Sequence, residues 1–288
     1  MISSGNATIT VSNLDAAIRF YTDQLGLKLT NRIGNRWATI DAGPSYWTTH
    51  DVLAGLTIGL RPASPQSPPP GTTGGVGFGV ETYMPIDDVA AELKKRAVHI
   101  GSEIITFEAG STFMFADLDG LGSYVHYFPP EMLEEGDTRS SPDTLLSGGH
   151  AIVYVSNMDA AIRFYADTLG LKLTYRFEDK FATVEAGRSL VLALHPQTPR
   201  TPTPGTKGSV TLGLVVDEPI DKVISHLAQR GVRVPAAPKP SGEGGTGQSE
   251  PGRSVEIEDL DGNVITLWEA QALTTDGELA APGASARR

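Results

Sequence analysis

One stretch of this chain occurs twice. Residues 7–30 read ATITVSNLDAAIRFYTDQLGLKLT, and residues 151–174, displaced by 144 positions, read AIVYVSNMDAAIRFYADTLGLKLT; eighteen of the 24 positions are identical. Shared secondary structure alone does not produce that degree of identity, so the chain is a tandem duplication and its fold must use the same unit twice. The correspondence continues with ATIDAG (38–43) against ATVEAG (182–187), PGTTG (70–74) against PGTKG (204–208), PIDDV (85–89) against PIDKV (219–223), and DLDG at 117–120 and 259–262. The copies differ by ten extra residues around Tyr46 to Gly55 in the first and a Gly-rich insert around Gly242 to Gly252 in the second, compositions that belong in loops. The expected division is a first module (1–130), an acidic then Ser/Pro-rich linker (131–148), a second module (149–271) and a mobile tail (272–288) with too little apolar content to pack.

Periodicity supplies the elements inside each copy. Ala7, Ile9 and Val11 alternate with Asn6, Thr8 and Thr10, the two-residue period of a strand. A helix follows: Ser12 or Asn13 can cap it, Ile18, Tyr21 and Leu25 share a face, and Gly26 stops it. Three short runs, LKLT, RWATI and LTIGL, complete a β-α-β-β-β unit. The second half repeats that order, with a strand over 75–81, a helix over 86–96 and strands at 104–106, 113–115 and 124–127. Two such units per copy predict an α+β fold.

Composition removes several function classes. The chain has no cysteine, so disulfides, thiolate nucleophiles, iron–sulfur clusters and Cys-ligated zinc are excluded, and any metal must sit on His, Asp or Glu. A net charge of −11 argues against nucleic acid as a partner. The amino terminus, MISSGNAT, has neither the basic start nor the apolar run of a signal peptide, and no stretch approaches the ~20 apolar residues of a membrane span, so a cytoplasmic location is expected. GGVGFG at 74–79 lacks a helix directly behind it and is not a phosphate loop. SPPPG at 67–71 reads as a stiff loop, and Asp119 and Asp261 as turn residues.

The string SNLDAAIRFYxDxLGLKL after a strand, with a later DLDG before a terminal strand, resembles the module of the vicinal oxygen chelate superfamily, the relatives of glyoxalase, bleomycin-resistance proteins and extradiol dioxygenases. The resemblance covers roughly 5–128 and 149–270. It implies two tandem modules, each of two βαβββ units forming a curved mixed sheet around a pocket, each site drawing on both copies. It also implies a divalent metal held at the first residue of strand one, one residue each in strands four and five, and a carboxylate in strand eight. Carried over, those positions fall on Asn6, Gly59, Thr211 and Thr266 for the site led by the first copy, which offers no strong ligand set. For the site led by the second copy they fall on His150, Ala193, Gly77 and, allowing one inserted residue in LGSYVH, His126.

Two imidazoles thus meet in one expected site, with His195 a possible third, but no carboxylate accompanies them. Tyr124, Phe128, Ile152, Tyr154, His195 and Trp268 are the expected ligand-binding residues of that pocket, whereas the Phe20–Tyr21 and Phe164–Tyr165 pairs read as core. Two functions follow. One is binding of a small aromatic or amphipathic molecule between the modules, with at most one functional site. The other is a metal-dependent lyase, isomerase or dioxygenase using one divalent ion (Zn, Ni, Fe or Mn) at His126 and His150. Glutathione finds no Arg cluster, Arg61 and Arg188 being the only nearby candidates. The pseudo-dimer lies within one chain, which makes a monomer the expected state.

Overall fold

The computed structural model describes residues 2–48, 54–107, 110–133, 144–234, 236–240 and 252–270. Most of the expected linker (134–143), the Gly-rich insert up to 251 and the whole expected tail lie outside those residues, as do 49–53 of the first copy's insertion. In the first copy the elements are β1 (Ile2–Val11), α1 (Leu14–Arg19), β2 (Lys28–Ile33), β3 (Trp37–Pro44) and β4 (Gly55–Pro62), then β5 (Val76–Thr82), α2 (Ile86–Lys95), β6 (His99–Ile100), β7 (Ile105–Phe107), β8 (Gly110–Ala116) and β9 (Gly122–Tyr127). The second copy supplies β10 (Gly149–Val155), α3 (Met158–Ile162), β11 (Lys172–Phe177), β12 (Phe181–Glu185) and β13 (Val191–Pro196), then β14 (Val210–Val216), α4 (Ile220–Gln229), β15 (Lys239–Pro240), β16 (Gly252–Glu258) and β17 (Val264–Ala270).

The strands form two sheets, and each sheet takes one unit from each copy. The first runs β15-β16-β17-β14-β1-β4-β3-β2; the second runs β11-β12-β13-β10-β5-β9-β8-β6, with β7 on β8. The seams are antiparallel pairs between copies, β1 on β14 and β10 on β5. The helices and turns, by contrast, tie the two units of one copy together. The Tyr21 ring lies against Phe78 and its hydroxyl donates to Asp117 Oδ2 of the same copy, and Tyr165 donates to Asp259 likewise. Both tyrosines are fully buried, as expected of core residues, and burial raises their hydroxyl pKa values, the neighbouring carboxylate adding to the effect.

Local chemistry explains the helix starts and turns. Asn13 and Asn157 each accept the backbone N–H three residues on, so Asn rather than Ser is the cap. Ser12 and Ser156 instead donate their backbone N–H groups to Asp119 and Asp261, which is why those aspartates sit in the DLDG turns. Gly120 and Gly262 follow with φ of +85° and +95°, a region that favours glycine. The expected first helix changes pitch: after Arg19 it widens into a π-helical turn, Phe20–Gln24, in which Leu25 N–H bonds Phe20 O and both Phe20 and Tyr21 are buried. The second copy repeats this over Arg163–Thr168.

Candidate functional site

The pocket-forming face of the second sheet follows from strand alternation. On β10, His150, Ile152 and Tyr154 face one way. The register sets His150 opposite Gly79 and Ile152 opposite Gly77 of β5, Ile152 beside Ala193 and Tyr154 beside His195 of β13, and Tyr124 and His126 of β9 beside Gly79 and Glu81. Strand pairing therefore brings His126, His150, His195, Tyr124, Ile152 and Tyr154 onto one surface. Small residues make its floor: a Cβ built on Gly77 meets nothing within 4 Å, so the middle of this face is open space. A Cβ on Gly79 would lie 2.7 Å from Nε2 of His126 and 3.6 Å from Nε2 of His150, so both imidazole edges reach over the same glycine.

A residue that sequence reasoning missed anchors this surface. Glu81, fully buried, accepts from Nδ1 of His150 at 2.8 Å, from Oγ of Ser45 at 2.6 Å and from the backbone N–H of Tyr46 at 2.6 Å. A carboxylate only accepts, so His150 donates from Nδ1 and turns Nε2 toward the pocket. The available signal was a lone charge in the apolar, Gly-rich strand VGFGVET, in phase with Gly77 and Gly79.

Aromatic rings wall this surface. Trp47, from the first copy's insertion, packs on Phe128, Tyr175 and Phe181 with centroids 5.6, 5.1 and 4.7 Å apart. Tyr46 stacks on Phe128 at 4.3 Å, and Phe181 meets His195 edge-on at 4.9 Å. Thr48 donates to Glu185, so the segment 45–48 is pinned across the second sheet by two buried carboxylates, Glu81 and Glu185. Tyr124 and Tyr154 bring their hydroxyls to 3.4 Å, and burial, with the Tyr124 hydroxyl adding to it, pushes the Tyr154 phenol up.

Two polar atoms of this surface stand out. Nε2 of His126 and Nε2 of His195 are buried and, among the described residues, lack a hydrogen-bond partner. Burial, reinforced by the neighbouring His150 and His195, holds the His126 imidazole well below its ordinary pKa. Burial, then His150, brings His195 down to about 3. Both are neutral at pH 7.

Trp268 does not belong to this surface. It sits on β17 of the first sheet and lines a cavity of about 320 Å³ with Asn6, Trp37 and Thr39, because alternation along a strand sets the face but not the sheet. Asn6, Gly59, Thr211 and Thr266 lie on that first sheet too. There Asn6 accepts from the Thr8 hydroxyl at 2.7 Å and the Trp37 indole covers Gly59.

Two imidazoles without a free carboxylate beside them make a poor metal site. The rings of His126 and His150 lie with centroids 5.2 Å apart and planes within 24°. The nearby carboxylate is engaged by three donors, and no group of three His, Asp or Glu side chains among the described residues is arranged to hold a metal. Nor is any helix among them long and apolar enough to cross a membrane.

Comparison with known proteins places this geometry. Residues 4–122 and 148–267 match the sequence profile of the Glyoxalase/Bleomycin resistance protein/Dioxygenase superfamily. A virulence protein of Salmonella typhimurium is 30% identical over 122 residues, spanning 41% of this chain and 80% of that protein. Among solved structures, glyoxalase I from Zea mays superposes with a TM-score of 0.62 at 16% identity, over 92% of each chain. A putative dioxygenase from Bacillus subtilis does so with 0.58 at 16% identity, over 93% of this chain and 85% of that one. These structural likenesses are of fold. With both copies matching the profile and the tandem sheets shared with those structures, the chain belongs to the Glyoxalase/Bleomycin resistance protein/Dioxygenase superfamily.

Proposed function

We propose that the chain binds a small, flat, largely apolar molecule on the face of the second sheet, without a metal, and orients it by hydrogen bonds to His126 and His195. The observation that carries this reading is the pair of buried, unpartnered Nε2 atoms set in an aromatic wall beside the open space over Gly77. A buried polar atom left unpaired costs about 1–3 kcal/mol, which a ligand's own polar groups recover on binding. Neutral imidazoles suit an uncharged partner, offering a donor or an acceptor without the cost of burying a charge. Tyr124, Tyr154, Phe128 and Phe181 supply the contact area, and His150, fixed by Glu81, adds one acceptor of defined direction.

The test is calorimetric titration with neutral planar aromatics, starting with 2-naphthol and 2-quinolinone, in excess EDTA. Binding is expected, weakened at least tenfold in a His126→Phe/His195→Leu variant and abolished by Gly77→Val, which fills the floor. Equal affinities in all three proteins, or binding that returns only when a divalent ion is added, overturn the reading.

A further inference from the structure

The first sheet carries a second cleft, of about 700 Å³, at the opposite end of its face from Trp268. On β14 the two ends are marked by Thr211 in this cleft and Val215 in the tryptophan-lined cavity, four residues or roughly 13 Å apart. Among the described residues, three cationic side chains line the cleft, Arg61 from β4, Lys207 from the loop before β14 and Lys239 from β15, with one carboxylate, Glu256. In a chain whose net charge is −11, three cations facing one carboxylate make a local reversal of sign.

The cations are presented differently. Arg61 is largely buried and donates through Nε to Thr10 Oγ1 at 3.2 Å, which orients the guanidinium, and Glu256 lies close enough to offset part of the effect of burial on its pKa. Lys207 and Lys239 are both exposed. Val210 and Val264 supply apolar wall between them. A volume in the range of small-molecule sites, an oriented guanidinium, two mobile ammonium groups and an apolar wall together select an organic anion with an apolar body.

We infer that the first-sheet cleft is a binding site for a carboxylate carrying a flat apolar group, its charge held among Arg61, Lys207 and Lys239. This site is separate from the histidine pocket, so the chain has two binding surfaces of unlike chemistry, where the repeat alone led us to expect at most one functional site.

The experiment compares 2-naphthoate with its neutral counterpart 2-naphthylmethanol by calorimetric titration of the full chain at low and moderate salt. In the Gly77→Val protein, whose histidine pocket is filled, naphthoate is expected to bind at least tenfold more tightly than the alcohol, since its charge makes charge-assisted hydrogen bonds that the hydroxyl does not. That preference is expected to shrink with added salt. A Lys207→Gln/Lys239→Gln variant, altered only at side chains outside the core, should lose at least tenfold in naphthoate affinity, while His126→Phe should leave it within a factor of two. Naphthoate affinity unchanged by the lysine variant, affinity lost in His126→Phe, or no saturable binding up to millimolar naphthoate each overturn the assignment. The proposal about the histidine pocket is tested by neutral ligands and by the loss of their binding in His126→Phe/His195→Leu and Gly77→Val, and it survives any of those results.

Discussion

Removing the Glu81 carboxylate tests the design of the histidine pocket directly. Glu81 takes three donors at 2.6–2.8 Å with no solvent contact. Glu81→Ala leaves a buried cavity and three unpaired donors, and each buried donor left unsatisfied costs about 1–3 kcal/mol. Glu81→Gln preserves the shape but offers one acceptor oxygen where there were two. If the amide oxygen faces Ser45 and His150, the Tyr46 N–H is orphaned against an NH₂ group. If the amide is flipped, His150 must become an acceptor at Nδ1 and move its proton to Nε2. Either way the expected cost is about 1–3 kcal/mol. Urea unfolding followed by far-UV circular dichroism gives both values, and long-range ¹H–¹⁵N spectra of the imidazoles report the His150 tautomer. In the native protein, protonated Nδ1 with a lone pair on Nε2 is expected; in the Gln variant, loss of that tautomer's dominance. A Glu81→Ala protein within about 0.5 kcal/mol of native, or a native His150 protonated on Nε2 alone, would refute the reasoning.

Further outcomes follow from the same surface. Gly79→Ala drives a methyl to 2.7 Å from the His126 ring and should destabilise by about 1–3 kcal/mol, whereas Gly77→Ala, with open space before it, should be neutral or slightly stabilising while weakening ligand binding; thermal melts paired with titrations separate the two. Trp47→Ala removes four ring contacts on a half-buried side chain, with an expected loss of about 2 kcal/mol and faster ligand association in stopped-flow measurements. The depressed His126 and His195 pKa values make the folded state bind fewer protons than the unfolded state below the ordinary histidine pKa of about 6.5. Their stabilising effect is therefore complete above that pH and is lost as the pH falls toward 3, with a slope of up to about 1.4 kcal/mol per pH unit for each histidine. Unfolding midpoints at pH 7.5, 5.5 and 4.5 check this, and His126→Phe/His195→Leu should flatten the dependence.

The duplication, the core pairs Tyr21 and Tyr165, the turn role of Asp119 and the placement of His126, His150 and His195 on one surface were legible because each rests on local identity or strand alternation. Trp268 was misplaced for the same physical reason: alternation says which way a side chain faces, while hydrogen-bond pairing between distant strands decides which sheet it enters. Glu81 went unseen because an acid in an apolar strand declares itself only through its partners, here Ser45, Tyr46 and His150, which are 36, 35 and 69 residues away. The reach of Tyr46 and Trp47 over the second sheet was likewise hidden, since an aperiodic insertion carries no information about what it covers.

The seams between copies, β1 on β14 and β5 on β10, bear on how the molecule can vary. Two identical separate chains joined along such seams would form a twofold-symmetric pair, and every substitution would appear in both clefts at once. Covalent linkage removes that constraint and replaces a bimolecular encounter with an intramolecular one, so assembly no longer depends on concentration. Glu81 faces His150 across one seam; the position matched to it in the other sheet is Val215, a change that a symmetric pair could not have made on one side alone.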